Sequence, residues 1–302
     1  MNCAIIGSTK IAEVHAEQLI RGGIKEITFI SRSFQKREKI IKKIKKKVSK
    51  KITFLESNIK ILKKKRFNII CICSKTEIHE QHLNLVSGLK SVLIIEKPII
   101  SLLKLNNKYE IFIKNFYKKN KKVIVCYPYI YLAKNIKKFI KIKKKLKRVD
   151  FEFQTGGSSK FKNICINLMP HALSFFYSFY LNKDFLNNIY KKDNLVIEKH
   201  KWQVSFIVGA TVFNFIFKEK KSKKTNLKLS FNELKFARKT LKTKNKFINY
   251  LQNYQTKKKK VINNPMSEFY LEFFKNINNS KYYQDNKKLT LDIMKKNYFF
   301  LN

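Results

Sequence analysis

The sequence predicts a chain in two parts: a doubly wound parallel α/β sheet over residues 1–127, then an α+β domain with a mostly antiparallel open sheet over residues 128–302. Three observations carry this reading. Short apolar runs alternate with helical patterns as far as Tyr127, the order expected of parallel strands joined by crossovers. Ser91–Pro98 (Ser-Val-Leu-Ile-Ile-Glu-Lys-Pro) reads as a strand apolar on both faces that stops at a charged pair and a proline. Beyond Tyr131 the alternation gives way to successive strand-like runs.

Cys3–Ile6 is the first strand and Gly7–Lys10 the turn after it, followed by a helix over Ile11–Arg21 that Gly22-Gly23 closes. Ile27–Ile30 is the second strand, ending at Ser31-Arg32-Ser33, and Gln35–Val48 is a very basic helix. Ile52–Leu55 is the third strand, Ile59–Lys65 a short helix, Ile69–Cys73 the fourth strand and Ile78–Gly88 a helix. Val92–Ile95 is the fifth strand, Leu102–Tyr117 a helix and Val123–Tyr127 the sixth strand. In the second part, Asn135–Leu146 reads as a basic helix and Val149–Phe153 as a strand leading to Gly156-Gly157. Val204–Val208, Val212–Phe217 and Leu227–Phe231 read as strands of the second sheet, Lys257–Lys260 as a solvated connection, and Ser267–Ile277 and Leu289–Tyr298 as helices.

The 302 residues are 44% hydrophobic, enough for a large core and against wholesale disorder. The 67 Lys+Arg against 20 Asp+Glu give a formal charge of +47, which physically favours nucleic acid, anionic membrane or acidic ligands. Compositional drift accounts for it without any such partner. Lysine is spread over the whole chain, Asn, Ile, Phe and Tyr abound, Gly and Pro are scarce, and no nucleic-acid motif is present. The five cysteines lie in apolar stretches, which suggests reduced core thiols in a cytoplasmic protein. No basic segment followed by a long apolar core opens the chain, so no signal peptide is expected. Asn163–Asn182 has no charged residue and the length of a membrane span, but Asn167, Pro170 and His171 favour a buried segment carrying a site helix. No membrane or specific nucleic-acid partner is expected.

Several segments carry chemistry. The strand–turn–helix at Gly7, Ser8, Thr9, Lys10 and Ile11 is a degraded dinucleotide fingerprint: its three glycine positions hold Gly7, Thr9 and Ala12. At the end of the second strand, where NAD binders place an acid, stand Ser31, Arg32 and Ser33. Arg32 there suits a 2′-phosphate, with the serines adding hydrogen bonds; a plain surface arginine is the alternative. His79 and His82 stand at metal-ligand spacing, but no third ligand accompanies them, so no metal is expected. Asn167 and His171 share one face of a helix at i, i+4.

In this setting Glu96-Lys97-Pro98 resembles the signature of the Gfo/Idh/MocA family of nucleotide-dependent oxidoreductases. The run from Ile69 through Cys73 and Ser74 to His79 resembles that family's fourth-strand segment, with Lys75 where a proline is common. His15 also stands where the family often carries a histidine. The resemblance implies a Rossmann-type first domain that holds a nicotinamide cofactor at Gly7–Ile11, Ser31–Ser33, Cys73, Ser74, His79, Glu96 and Lys97. NADP(H) is favoured and NAD(H) is possible. It further implies a Lys97 ammonium near the nicotinamide and the reacting oxygen, with a cis bond before Pro98. His171 would be the acid/base and Asn167, where the family often has Asp, would orient it. Tyr129 and Tyr131 are candidates for sugar binding. The substrate would be a sugar, cyclitol or nucleotide-sugar held between the domains, in a homo-oligomer, dimer or tetramer. Thr9 and Asn167 depart from the family pattern and admit an alternative: a nucleotide- or sugar-binding protein that kept the fold and lost the chemistry. A basic protein binding nucleic acid or a membrane surface is the third reading.

Overall fold

The computed structural model describes residues 1–48, 52–102, 107–140, 145–180, 184–221, 225–242 and 247–302. It divides into two compact units, the first combining Met1–Cys126 with Phe269–Leu291 and the second combining Tyr127–Glu268 with Asp292–Asn302. The return of 269–291 to the first unit leaves no trace in the sequence pattern.

The first unit is a six-stranded sheet in the order β3-β2-β1-β4-β5-β6. Its strands are β1 (Asn2–Ile6), β2 (Glu26–Ile30), β3 (Thr53–Ser57), β4 (Ile69–Ile72), β5 (Val92–Glu96) and β6 (Val123–Cys126). Every pairing is parallel. The interior strands are apolar on both faces because crossovers cover both: Cys3–Ile6, Ile69–Ile72 and Leu93–Ile95 are all buried. The helices are α1 (Lys10–Arg21), α2 (Phe34–Lys45), α3 (Ile61–Lys64), α4 (His79–Val86) and α5 (Asn107–Lys119), with a 3-10 turn at Thr76–Ile78. Residues 103–106 of the helix expected over Leu102–Tyr117 lie outside the described residues. The chain order reverses between β1 and β4, and the carboxyl ends of strands at such a switch point are where open α/β sheets bind ligands.

The second unit begins with α6 (Tyr129–Lys137), which starts six residues before the helix expected over Asn135–Leu146. Tyr129 and Tyr131 therefore lie in a helix. Its buried positions include Leu132, Ala133 and Ile136, at helical spacing that the basic residues around them obscured. Residues 141–144 of the expected helix lie outside the described residues. An eight-stranded sheet follows in the order β14-β13-β12-β11-β7-β10-β9-β8. The strands are β7 (Arg148–Thr155), β8 (Lys192–Glu198), β9 (Lys201–Val208), β10 (Thr211–Glu219), β11 (Asn226–Phe231), β12 (Leu234–Lys242), β13 (Phe247–Asn253) and β14 (Lys259–Ile262). Only β7 with β10 is parallel. Lys259 and Lys260, expected in a solvated connection, belong instead to the edge strand β14; exposed lysines on an edge are compatible with pairing on one side only.

The core of this unit is aromatic. Phe151 of β7, Phe215 of β10 and Phe176 of α7 (Lys162–Tyr180) meet with ring centroids 5.4–5.7 Å apart. The helix α7 runs through Pro170, which has no N–H to give the Ile166 carbonyl. The Asn297 amide supplies the missing donor, at 3.3 Å. Among the described residues no helix is long and apolar enough to cross a membrane. The short α8 (Asp184–Asn187) follows α7, and α9 (Pro265–Lys275) and α10 (Ser280–Leu301) complete the chain.

Candidate active site

The predicted residues of the first unit gather at the carboxyl ends of β1, β2, β4 and β5. Gly7 leaves β1 at φ +121°, and its amide donates to the Ile30 carbonyl at 2.9 Å. A Cβ there would lie 2.7 Å from the Cys73 carbonyl oxygen, so glycine is required both for its φ and for its closeness to β4. Thr9 occupies the N-cap position of α1, yet its hydroxyl does not cap the helix. It donates instead to the Cys73 carbonyl at 3.0 Å. The threonine that replaces a glycine thus turns its hydroxyl toward β4, and the first amides of α1 are not covered by it. A helix start of this kind favours an anionic group such as a pyrophosphate.

Ser8 and Ser31 join the first loop to the end of β2, 3.1 Å between hydroxyls. Ser33 caps α2 by accepting from the Lys36 amide at 3.3 Å. Arg37 braces the same turn: its guanidinium donates to the Ser31 carbonyl and, at 3.1 Å, to Glu56. Arg32 is exposed. It lies near enough to His82 to help lower that imidazole's pKa, after burial and the neighbouring His79.

At the end of β4, the Ser74 hydroxyl meets His82 Nδ1 at 2.8 Å. Cys73, named in the sequence as a cofactor contact, has its side chain fully buried; only its carbonyl serves the loop. His79 is also buried, with Nδ1 3.0 Å from the Pro98 carbonyl and Nε2 3.0 Å from the Ser74 carbonyl. It ties the end of β4 to the end of β5. Burial pushes its pKa down, against the pull of the two carbonyls. Lys97 is half-buried, and the Lys97–Pro98 peptide is cis, as the resemblance implied.

Glu96 has a partner that the sequence does not announce. His15 Nε2 lies 2.6 Å from Glu96 Oε1, and its Nδ1 lies 2.5 Å from the Tyr270 hydroxyl. Burial would discharge both members of the pair, but each opposes this in the other. His15 is lifted to about 10 by Cys71 and Glu96 against its desolvation. Glu96 is held below its ordinary value by the His15 hydrogen bond, with Lys97 adding to the effect. Cys71 and Cys73 sit beside this pair with sulfurs 3.4 Å apart. The position of His15 in α1 was legible; Tyr270, which is 255 residues away, was not.

In the second unit, α7 presents Asn167 and His171 on one half-buried face, as their spacing predicts. The Asn167 amide donates to the Ser159 hydroxyl at 2.6 Å, and the Ser159 amide donates to Glu219 at 2.7 Å, so β10 fixes the loop that fixes Asn167. Tyr129 packs on His171 with ring centroids 4.4 Å apart, and Phe153 stands edge-on to the same imidazole at 5.3 Å. Burial pushes the Tyr129 hydroxyl up to about 12 despite Arg238. Tyr131 is buried under the Lys134 ammonium, 5.2 Å from its ring centre.

Residues 1–127 match a family profile described as an oxidoreductase family with an NAD-binding Rossmann fold. No curated protein matches the sequence. Among solved structures, a dehydrogenase (MviM) from Clostridium difficile is similar at 14% identity and TM-score 0.64, over 98% of this chain and 99% of that one. The 3-ketoreductase KijD10 from Actinomadura kijaniata, solved in complex with NADP, is similar at 8% identity and TM-score 0.67, over 97% and 94%. UDP-N-acetylglucosamine 3-dehydrogenase GnnA from Acidithiobacillus ferrooxidans is similar at 10% identity and TM-score 0.59, over 100% and 99%. At these identities the likeness is one of fold.

Proposed function

We propose that the chain, whose first 127 residues match the model of the Gfo/Idh/MocA oxidoreductase family, is a nicotinamide-dependent dehydrogenase or reductase acting on a sugar, cyclitol or nucleotide-sugar. The observation that carries this reading is the gathering of Gly7, Ser8, Thr9, Ser31, Ser74 and the Glu96–Lys97 pair at the carboxyl edge of one parallel sheet. The glycine cradle and the start of α1 that Thr9 leaves uncapped fit a dinucleotide pyrophosphate. Gly7 to Ile11 would hold that group. Exposed Arg32 suits a 2′-phosphate, which favours NADP(H) over NAD(H). The cofactor, when bound, supplies the hydride acceptor or donor.

The protein's own residues would orient substrate and move a proton. Lys97, next to the Glu96 that His15 holds, would hold the oxygen of the reacting carbon and stabilise negative charge there. His171 would take the hydroxyl proton in oxidation or return it in reduction. Asn167, fixed by Ser159, would orient the substrate or the ring as a neutral amide. Tyr129 and Tyr131 would border the substrate. The nucleotide-sugar substrate class is supported by the activities named for KijD10 and GnnA, the ketone reduction of one and the 3-dehydrogenation of the other. A homo-oligomer and a cytoplasmic setting belong to the same proposal.

A second reading is a binding protein without turnover. It is favoured by Asn167, an amide that brings no charge to stabilise a protonated His171. One assay separates the two: nicotinamide absorbance followed with UDP- and TDP-sugars and their keto forms. Turnover that Lys97→Ala lowers at least 100-fold in kcat supports the enzyme. Binding of nucleotide with no turnover on any of them supports the binding protein.

A further inference from the structure

One row of side chains on the face of the second sheet that packs on α7 holds a charge. Residues opposite one another in paired strands share a face, and the register carries a row across six strands: Trp202, Phe217, Phe153, Leu227, Arg238 and Leu251. Five of these are apolar and buried, and the sixth is a half-buried arginine. Arginine makes up only six of the chain's 67 basic residues, so drift towards lysine does not put it there. Arg238 Nη2 donates to Asn249 Oδ1 at 3.1 Å. Thr240, two residues on and on the same face, donates to that oxygen at 2.9 Å and fixes it. Arg238 Nε is buried and has no hydrogen-bond partner among the described residues. Asn249 is neutral, and Phe153, Leu227, Leu251 and Tyr129 bring no negative charge, so none of them balances the guanidinium. The Tyr129 hydroxyl lies within its reach, and the Tyr129 ring packs on His171. Guanidinium and imidazole thus stand at two sides of one tyrosine. Strand β12 is two strands from β7, about 10 Å at about 4.8 Å per strand, a gap that an arginine and a small ligand span together.

We propose that Arg238 is the anion-binding residue of the substrate site, and that the substrate is a sugar acid whose carboxylate it holds. This rests on the placement of substrate at His171 proposed above. Nε and Nη2 form one edge of the guanidinium fork, which suits the two oxygens of a carboxylate in parallel. Nη2 has two protons, and Asn249 takes one of them. A bound carboxylate gives the buried Nε its acceptor and the guanidinium its counter-charge. One guanidinium balances one carboxylate, whereas a diphosphate brings more charge than this apolar row can match. The acid group lies towards β12 and the reacting carbon towards His171, with Tyr129 and Phe153 bordering the sugar ring between them. Among sugars and nucleotide-sugars, this selects those that carry a carboxylate.

The test is binding of hexuronates to the full-length protein, read by calorimetry with and without NADPH. The probes are glucuronate and galacturonate, free and as UDP conjugates, against the matching neutral hexoses and glucose 6-phosphate. The proposal expects at least one uronate to bind about 10- to 100-fold more tightly than its neutral hexose, the worth of a charge-assisted pair. Arg238→Gln should remove that preference by weakening the uronate and leaving the hexose unchanged. Arg238→Lys should keep only part of it, because an ammonium has the charge without the fork. Circular dichroism checks that each variant folds, and the lysine variant carries the comparison if the glutamine one does not. A folded Arg238→Gln that keeps the preference would overturn the proposal. So would a wild type that binds uronate no better than hexose, or one that binds glucose 6-phosphate more tightly than glucuronate, as general attraction to a basic surface would give. Uronate binding without NADPH binding would fail the dehydrogenase reading alone, and NADPH binding without a uronate preference would fail this one alone.

Discussion

His15 Nε2 lies 2.6 Å from Glu96 Oε1 in the interior of the first unit, one residue before Lys97. A buried pair of this kind does little for stability against an apolar replacement, but removing one partner strands the other. Glu96→Gln and His15→Ala should each cost about 3–5 kcal/mol of unfolding free energy. The double variant should cost clearly less than their sum. Urea unfolding of the four proteins measures both, and additive losses would refute the pairing.

Gly7→Ala should be far worse than Gly23→Ala. Both glycines have positive φ, but a Cβ on Gly7 meets the Cys73 backbone at 2.7 Å while one on Gly23 meets nothing within 4 Å. The Gly23 change should cost about 1 kcal/mol of backbone strain. The Gly7 change should cost several times that and abolish nucleotide binding. Equal losses in thermal melts would contradict the close approach of β1 and β4.

Glu152 of β7 is held between Lys218 at 2.9 Å and Lys228 at 3.2 Å, on the strands either side. Burial raises its pKa, but the two lysines outweigh it and leave it below the ordinary value of 4.5. A carboxyl lowered by folding contributes stability above its unfolded pKa and loses it as the pH falls through the folded one. The lysines are partly exposed, so screening limits the effect to about 1 kcal/mol. Glu152→Gln should therefore lower stability by that amount at pH 7 and by nothing at low pH, where both proteins carry a neutral group. A constant difference across the pH range would rule this out.

Asn297→Leu should destabilise the second unit by about 1–3 kcal/mol, because the Ile166 carbonyl that Pro170 cannot serve would be left without its donor. Combining it with Pro170→Ala should recover part of the loss, since the restored N–H can bond within α7. Thermal melts of the three variants would show no such recovery if the Asn297 contact were incidental.

The parallel sheet was legible because strands covered on both faces read as unbroken apolar runs, as Val92–Ile95, buried throughout, does. Gly7, Lys97 and the Asn167–His171 face were legible because each rests on short-range spacing. The α6 start was not. Tyr129 and Tyr131 are equally at home in a loop, and their helix was set by packing on α7, as in the Ser178 hydroxyl donating to the Ile130 carbonyl at 3.1 Å. Strand β14 was hidden by its lysines. The partners of His15 and Asn167 were hidden by distance or by silence: Tyr270 stands on a helix that returns to the first unit late in the chain, and Ser159 in a loop without a signal of its own.

The measurement that tests the central claim most directly is titration of the purified protein with NADPH and NADH at physiological salt, read by nicotinamide fluorescence. The account predicts saturable binding of both, tighter for NADPH, with the preference lost in Arg32→Ala and all binding lost in Gly7→Ala. A folded protein that binds neither nucleotide would contradict it.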